Sequence, residues 1–403
     1  MKKIIRFYFL IMVLGSSAVA EAKVEFVPVS QIRLLGGQVF FDGKNTSITG
    51  NGDWLFAPGF KFGEKFSLVS SVNGEYRRLR EVQELIGGSY LTQQTLENTS
   101  IVKGIYNFND NWKGKFKGSY RNQLLVESAD ESLGNGLFDN NKIGFGMEME
   151  RTGSFFRSLR LSLDPYAVRF LRYTSLSSGS SSASEISSGD DPLDFNAYDA
   201  AVSVEMSPLR KTMIQSYLLN SYRIFTDQKK VTVSGTYTSE ARKDEYVYGT
   251  LSVLQQLPDW SFIQLQSMAG LGFSAQYLIS SQHNYDASKT RFNSNYYDYQ
   301  EFHITPRLGA KWRDKLELSV AYDYAQRNYN HRVVQNSEGT YGTDRIVLDN
   351  QSVSYSLKYP LLLGFSVVAE GVWRQSVSNM TYESTYRYNY SAEHYFVGFS
   401  WDL

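Results

Sequence analysis

From residue 112 the chain reads WKGKFKGSY, with Trp112, Gly114, Phe116, Gly118 and Tyr120 on one parity and Lys113, Lys115, Lys117 and Ser119 on the other. Successive side chains of an extended chain point to opposite faces, so this period of two predicts a strand with one apolar and one polar face. The alternation recurs along most of the sequence. Ile32, Leu34, Gly36 and Phe40 form one series, Trp54, Phe56, Phe60 and Phe62 the next, and Phe66, Leu68, Val72 and Tyr76 a third. Ile143, Phe145, Met147 and Met149 follow the opening stretch, then Leu159, Leu161 and Leu163. The last third alternates most cleanly, over 302–312, 316–324, 353–361, 365–373 and 395–403. No capped apolar stripe of helical spacing stands out.

The connections alternate too. FGEK, FNDNW, LPDW and WRDK are tight, whereas KNTSITGNGD, LREVQELIGGSYLTQQTLEN and VESADESLGNGLFDNNK are long. The count is about sixteen strands. MIQSYLLNSYRIF alternates poorly within 211–257 and leaves fourteen and eighteen open. At Asp164-Pro165 the apolar parity moves to Tyr166, Val168 and Phe170, which predicts a bulge. Residues 174–190, SLSSGSSSASEISSGDD, are low-complexity and predict a surface loop.

Two architectures use alternating strands: a soluble sandwich, with its apolar face inward, and a membrane barrel, with its apolar face on lipid. Aromatic content of 15%, with 29 Tyr and 25 Phe, suits the interfacial girdles of a barrel, and only 8 Pro suit an extended ladder. A lysine on lipid near the midplane costs about 2–4 kcal/mol, so Lys113, Lys115 and Lys117 must turn inward. The expected fold is all-β: a transmembrane antiparallel up-and-down β-barrel.

The chain opens MKKIIRFYFLIMVLGSSAVAEA, a basic start, an apolar stretch and a small-residue cleavage site. This reads as a secretory signal peptide over 1–22, followed by one barrel domain over 23–403. No later apolar run is long enough to span a bilayer as a helix. The absence of Cys excludes a lipidated cysteine, disulfides and thiolate catalysis, and with the leader it points to export in a Gram-negative bacterium. Losing Lys2, Lys3 and Arg6 leaves a nearly neutral chain, unlike a nucleic-acid binder.

The segment HYFVGFSWDL places Tyr395, Val397, Phe399, Trp401 and Leu403 on one face. It resembles the terminal-strand insertion signal of bacterial outer-membrane β-barrel proteins. Gly398, Trp401 and Leu403 match that signal; a final Leu in place of Phe, and Phe396 in place of a polar residue, depart from it. The resemblance implies residence in the bacterial outer membrane, with membrane lipid and the barrel-assembly machinery as partners.

Little in the sequence points to catalysis. Of four His, His283 and His331 fall in loops, while His303 and His394 fall on lumen parity. A barrel phospholipase needs a Ser/His pair and an omptin-like protease an Asp/His pair, and neither local motif is recognisable. His331 with Asp323 is the one pairing that would revive an enzyme. The expectation is no enzyme, no metal and no cofactor. Gly144 and Gly146 are strand residues rather than a phosphate loop.

The predicted lining carries Arg77, Lys113, Lys115, Lys117, Arg121 and Lys142 as a basic sector, then Glu148, Glu150, Asp199 and Glu205 as an acidic one. Arg307, Lys311 and Arg327 belong to a mixed remainder with Glu301 and Asp323. In general porins the third long loop folds inward; here that loop is 126–141, whose Glu127, Asp130, Glu131 and Asp139 would face the basic wall. The expected function is porin-like passive diffusion of small hydrophilic solutes, with modest anion preference because Glu75 and Glu148 neutralise part of the wall. The alternative is a structural or surface-recognition barrel with long loops and a closed lumen. A polymer-export channel or barrel hydrolase ranks below both.

Overall fold

The computed structural model describes residues 24–45, 48–78, 81–85, 88–127, 131–173, 191–260, 263–313, 315–383 and 387–403. Sixteen antiparallel strands close into a barrel. They are β1 (Val24–Val27 and Ser30–Phe41), β2 (Thr49–Phe56 and Gly59–Phe62), β3 (Phe66–Arg77) and β4 (Gln94–Asn107). Next come β5 (Trp112–Val126), β6 (Asn140–Arg151), β7 (Ser158–Phe170) and β8 (Phe195–Met206). β9 (Thr212–Val231), β10 (Tyr237–Gln256), β11 (Leu265–Ser280) and β12 (Tyr299–Trp312) follow. β13 (Leu316–Gln335), β14 (Tyr341–Pro360), β15 (Phe365–Ser378) and β16 (Tyr390–Asp402) complete the wall. Each strand pairs with the next, and β16 returns to β1 from Gln31↔Asp402 to Phe41↔Ala392, so the wall has no seam left open. Ser30 and Leu403 exchange backbone hydrogen bonds of 3.0 and 2.8 Å at its edge.

Tight turns join the strands at one end and longer loops at the other. Proline explains the two interrupted strands: Pro28 and Pro58 lack a ladder N–H, and β1 and β2 break beside them. Outside, Trp112, Trp312 and Phe365 ring the short-turn end, while Tyr120, Tyr198, Tyr222, Tyr277 and Tyr395 ring the other. Leu, Ile, Val, Met and Phe fill the band between, as in Ile143, Phe145 and Met147, all exposed. Such girdles flanking an outward apolar band are the membrane-facing surface of a barrel.

Two sequence expectations change. No register shift occurs at Asp164-Pro165; β7 pairs with β8 without a break from Ser158↔Glu205 to Val168↔Phe195. Tyr166, Val168 and Phe170 keep inward parity and are apolar because they pack with Leu193, Phe195 and Phe225. MIQSYLLNSYRIF is likewise one regular strand, in register with β10 from Thr212↔Gln255 to Ile224↔Lys243. It alternates poorly because β9 presents apolar side chains on both faces, Leu218 and Tyr222 outward, Met213, Tyr217 and Leu219 inward. The low-complexity 174–190 lies outside the described residues.

Candidate functional site: the inner wall

Strand parity puts the predicted lining residues on the inner face, but not as separate sectors. Basic and acidic residues interleave on adjacent strands and pair across them. Lys115 Nζ lies 2.5 Å from Glu148 and 2.9 Å from Glu150, and Lys117 lies 2.8 Å from Asp164. Arg121 reaches Glu97 at 3.7 Å, and Arg77 bridges Asp53 at 2.5 Å and Glu75 at 2.9 Å. Arg157 meets Glu205, Lys311 meets Glu317 at 3.3 Å, and Arg327 meets Glu301. Lys142 sits over the Tyr166 ring, 3.5 Å from its centroid. Asp199 stands opposite Asp164 and Ser221 on the neighbouring strands. Among the described residues of the inner face Lys103, Lys113, Lys142, Arg223, Arg307 and Arg374 have no acidic salt-bridge partner.

The loop over 126–141 also departs from expectation. Asp130 lies outside the described residues. Asp139 does not face the basic wall; it is fully buried at the loop's base, where Oδ1 accepts the Leu125 N–H at 2.8 Å and Arg172 lies 3.0 Å from Oδ2. Glu131 turns into its own loop and accepts the N–H groups of Glu127 and Leu137. Burial, followed by the neighbouring Glu131 charge, pushes the Glu127 carboxyl up to about 7.

Asp139 is one of three such residues, which the sequence reading missed. Asp194 Oδ1 accepts the Phe170 N–H at 2.7 Å, and Asp298 Oδ1 accepts the Ser280 N–H at 2.7 Å. Each stands one residue before a strand, and each carbonyl accepts an N–H from the strand after that one or from the residue just past its end: Thr226 and Asn330 within strands, Leu171 one residue beyond β7. One aspartate thereby ties three consecutive strands at the loop end. Burial raises all three carboxyls above the usual range, opposed by those N–H bonds. The repeated signal was legible: Phe138-Asp139, Leu193-Asp194 and Tyr297-Asp298, each just before an inward strand residue.

The loop end of the interior is packed. Arg242 stacks between Phe225 and Tyr297, 4.5 and 4.6 Å from their centroids, and Arg332 lies over Tyr296 at 4.2 Å and near Tyr329 and Tyr388. Phe225, Arg242, Tyr329 and Ile346 are buried. Toward the short turns the inner face opens: Glu317 and Ser319 are exposed in a cavity of about 810 Å³, which shares Ser356 and Lys358 with one of about 630 Å³, and Arg307, also exposed, lies beside Leu254 of the first. Among the described residues the interior is thus filled at the loop end and open at the turn end.

His303 and not His331 meets Asp323. Its ring nitrogens lie 2.6 Å from Glu301 and 3.3 Å from Asp323, while the Thr305 hydroxyl donates to Asp323 at 2.6 Å. The hydroxyl is thus bonded to the acid rather than to the imidazole, which is not the nucleophile-to-base contact of acyl transfer. At the terminal strand, Trp401 pairs with Ile32 and Phe365 on the lipid side, and Leu403 is exposed. Gly398 faces inward between Leu35 and Val368, and Phe396 buries itself against Leu35, Val39 and Val368, which accounts for an apolar residue there.

A closed barrel with an apolar outer belt, two aromatic girdles and a charged interior defines a bacterial outer-membrane β-barrel protein. No family model and no curated protein matches the chain in sequence. Among solved structures it is similar to OmpT, an outer membrane protein of Vibrio cholerae, in trimer form: 13% identity, TM-score 0.46, over 95% of this chain and 99% of that one. OccAB3 of Acinetobacter baumannii aligns over 93% and 99% at 9% identity and TM-score 0.46. OccD3 of Pseudomonas aeruginosa aligns over 95% and 94% at 8% and 0.44.

Proposed function

We propose that the barrel lets small hydrophilic solutes diffuse passively across the outer membrane, with modest anion preference and no catalytic step. The supporting observation is the balance of the inner wall: many charges are paired, and those without a salt-bridge partner are mostly basic, Lys103, Lys113, Lys142, Arg223, Arg307 and Arg374 against Asp199. A barrel of sixteen strands is wide enough for an aqueous path, and unpaired wall charges set its selectivity. A second reading, a surface-recognition barrel with a closed lumen, draws on the packed loop end around Arg242 and Tyr388. Swelling of liposomes in sized sugars separates them. The diffusion reading expects swelling that falls with sugar size, together with stepwise conductance in planar bilayers. A folded barrel that gives neither is a closed one.

A further inference from the structure

Away from its buried clusters, the inner face toward the short turns is polar except in one place. On β9 to β11, toward the short turns, Met213, Leu254 and Met268 point into the interior, and Met268 is 50% exposed there. Met213 and Leu254 are half-buried beside it, and apolar side chains bared to a cavity with a few polar groups are the lining of a ligand site. Glycine makes room for it. A Cβ at Gly270 would collide with both Leu254 and Arg307, and one at Gly309 would collide with Met268. The apolar side chains therefore lie directly on bare backbone, and the wall recedes into the cavity of about 810 Å³.

Charge defines the rest of the ligand. Lys211, Lys311 and Lys358 stand on the cavity rim, each already paired with an acid, Asp259, Glu317 and Asp402 respectively. Arg307 is beside Leu254, exposed, and has no acid. We infer that this recess binds a small amphiphilic carboxylate, its apolar body against Met213, Leu254 and Met268 and its anionic group on Arg307. A planar guanidinium takes a carboxylate through two parallel hydrogen bonds, and the apolar recess adds affinity for each methylene that leaves water. The inference deepens the diffusion reading and rests on it for the ligand's passage, but not for binding.

Methionine methyl resonances of the ¹³C-labelled protein in lipid nanodiscs report the recess directly, with acetate, hexanoate and hexylammonium as probes. Hexanoate should shift Met213 and Met268 at a concentration at least about tenfold below acetate, since each fully buried methylene is worth roughly fourfold. Hexylammonium should leave them unmoved. Arg307→Gln should raise the hexanoate midpoint severalfold, and Leu254→Ser should weaken hexanoate but not acetate. Equal midpoints for acetate and hexanoate, or equal response to hexylammonium, would overturn the site. Shifts without liposome swelling retain the site and remove the passage; swelling without shifts does the reverse.

Discussion

Gly398 shows how one residue holds the closure of the wall. A Cβ there would run into the Leu34 carbonyl and the Leu35 backbone, which β16 approaches at the β1 seam. Backbone cannot move aside as a flexible side chain can, so Gly398→Val should cut the yield of heat-modifiable, folded barrel at least severalfold; normal yield would mean that the seam is more pliant than its geometry. Glu127 gives a second test. Its carboxyl is held up at about 7, so the fold favours the neutral acid. That contribution is complete below the ordinary carboxylate range near 4.5 and is lost as the pH climbs through about 7. Amide protection at Glu127 and Leu137, whose N–H groups Glu131 holds, should fall between pH 5 and pH 8 and become flat in Glu127→Gln. An unchanged pH dependence in that variant would assign the effect to another group.

At the scale of elements, the loop-base aspartates fasten strands that the ladder alone leaves loose. Removing one should orphan a buried N–H. Asp194→Ala is expected to cost about 1–3 kcal/mol, seen as loss of exchange protection at the Phe170 amide while the barrel remains folded. Retained protection would show that the Thr226 bond to the Asp194 carbonyl suffices alone. Strands with lipid on one side and charge on the other were legible in the sequence, as in β5, because the membrane enforces parity at every position. β9 and the upper half of β7 were not. There the interior is apolar as well, and the alternation that betrays a face disappears. The charge pairs were hidden for another reason: parity assigns a face, whereas Lys117 meeting Asp164 depends on two strands and their register, with β6 lying between.

For the whole molecule, the interior is asymmetric along its axis, packed near the loops and open near the turns. The wall charges that a passing ion meets in the open, lower half include Lys113, which has no acid, and Lys115, which is already shared between two. Reversing Lys113, Lys115 and Lys117 to Glu should move the reversal potential under a salt gradient toward cations, by tens of millivolts at most. Folded protein with unchanged selectivity would place the permeation path away from β5. The two strand pairs β9–β10 and β13–β14 carry a different consequence. Each of these strands runs twenty residues, against twelve for β3 and sixteen for β11. At about 3.4 Å per residue and a tilt near 45°, they outreach an apolar band of roughly 25 Å by about 20 Å. Their tips, around Ser234 and Ser337, therefore stand clear of the lipid headgroups. An antibody or a phage tail fibre approaching the cell would touch these two ribbons before it touched the barrel.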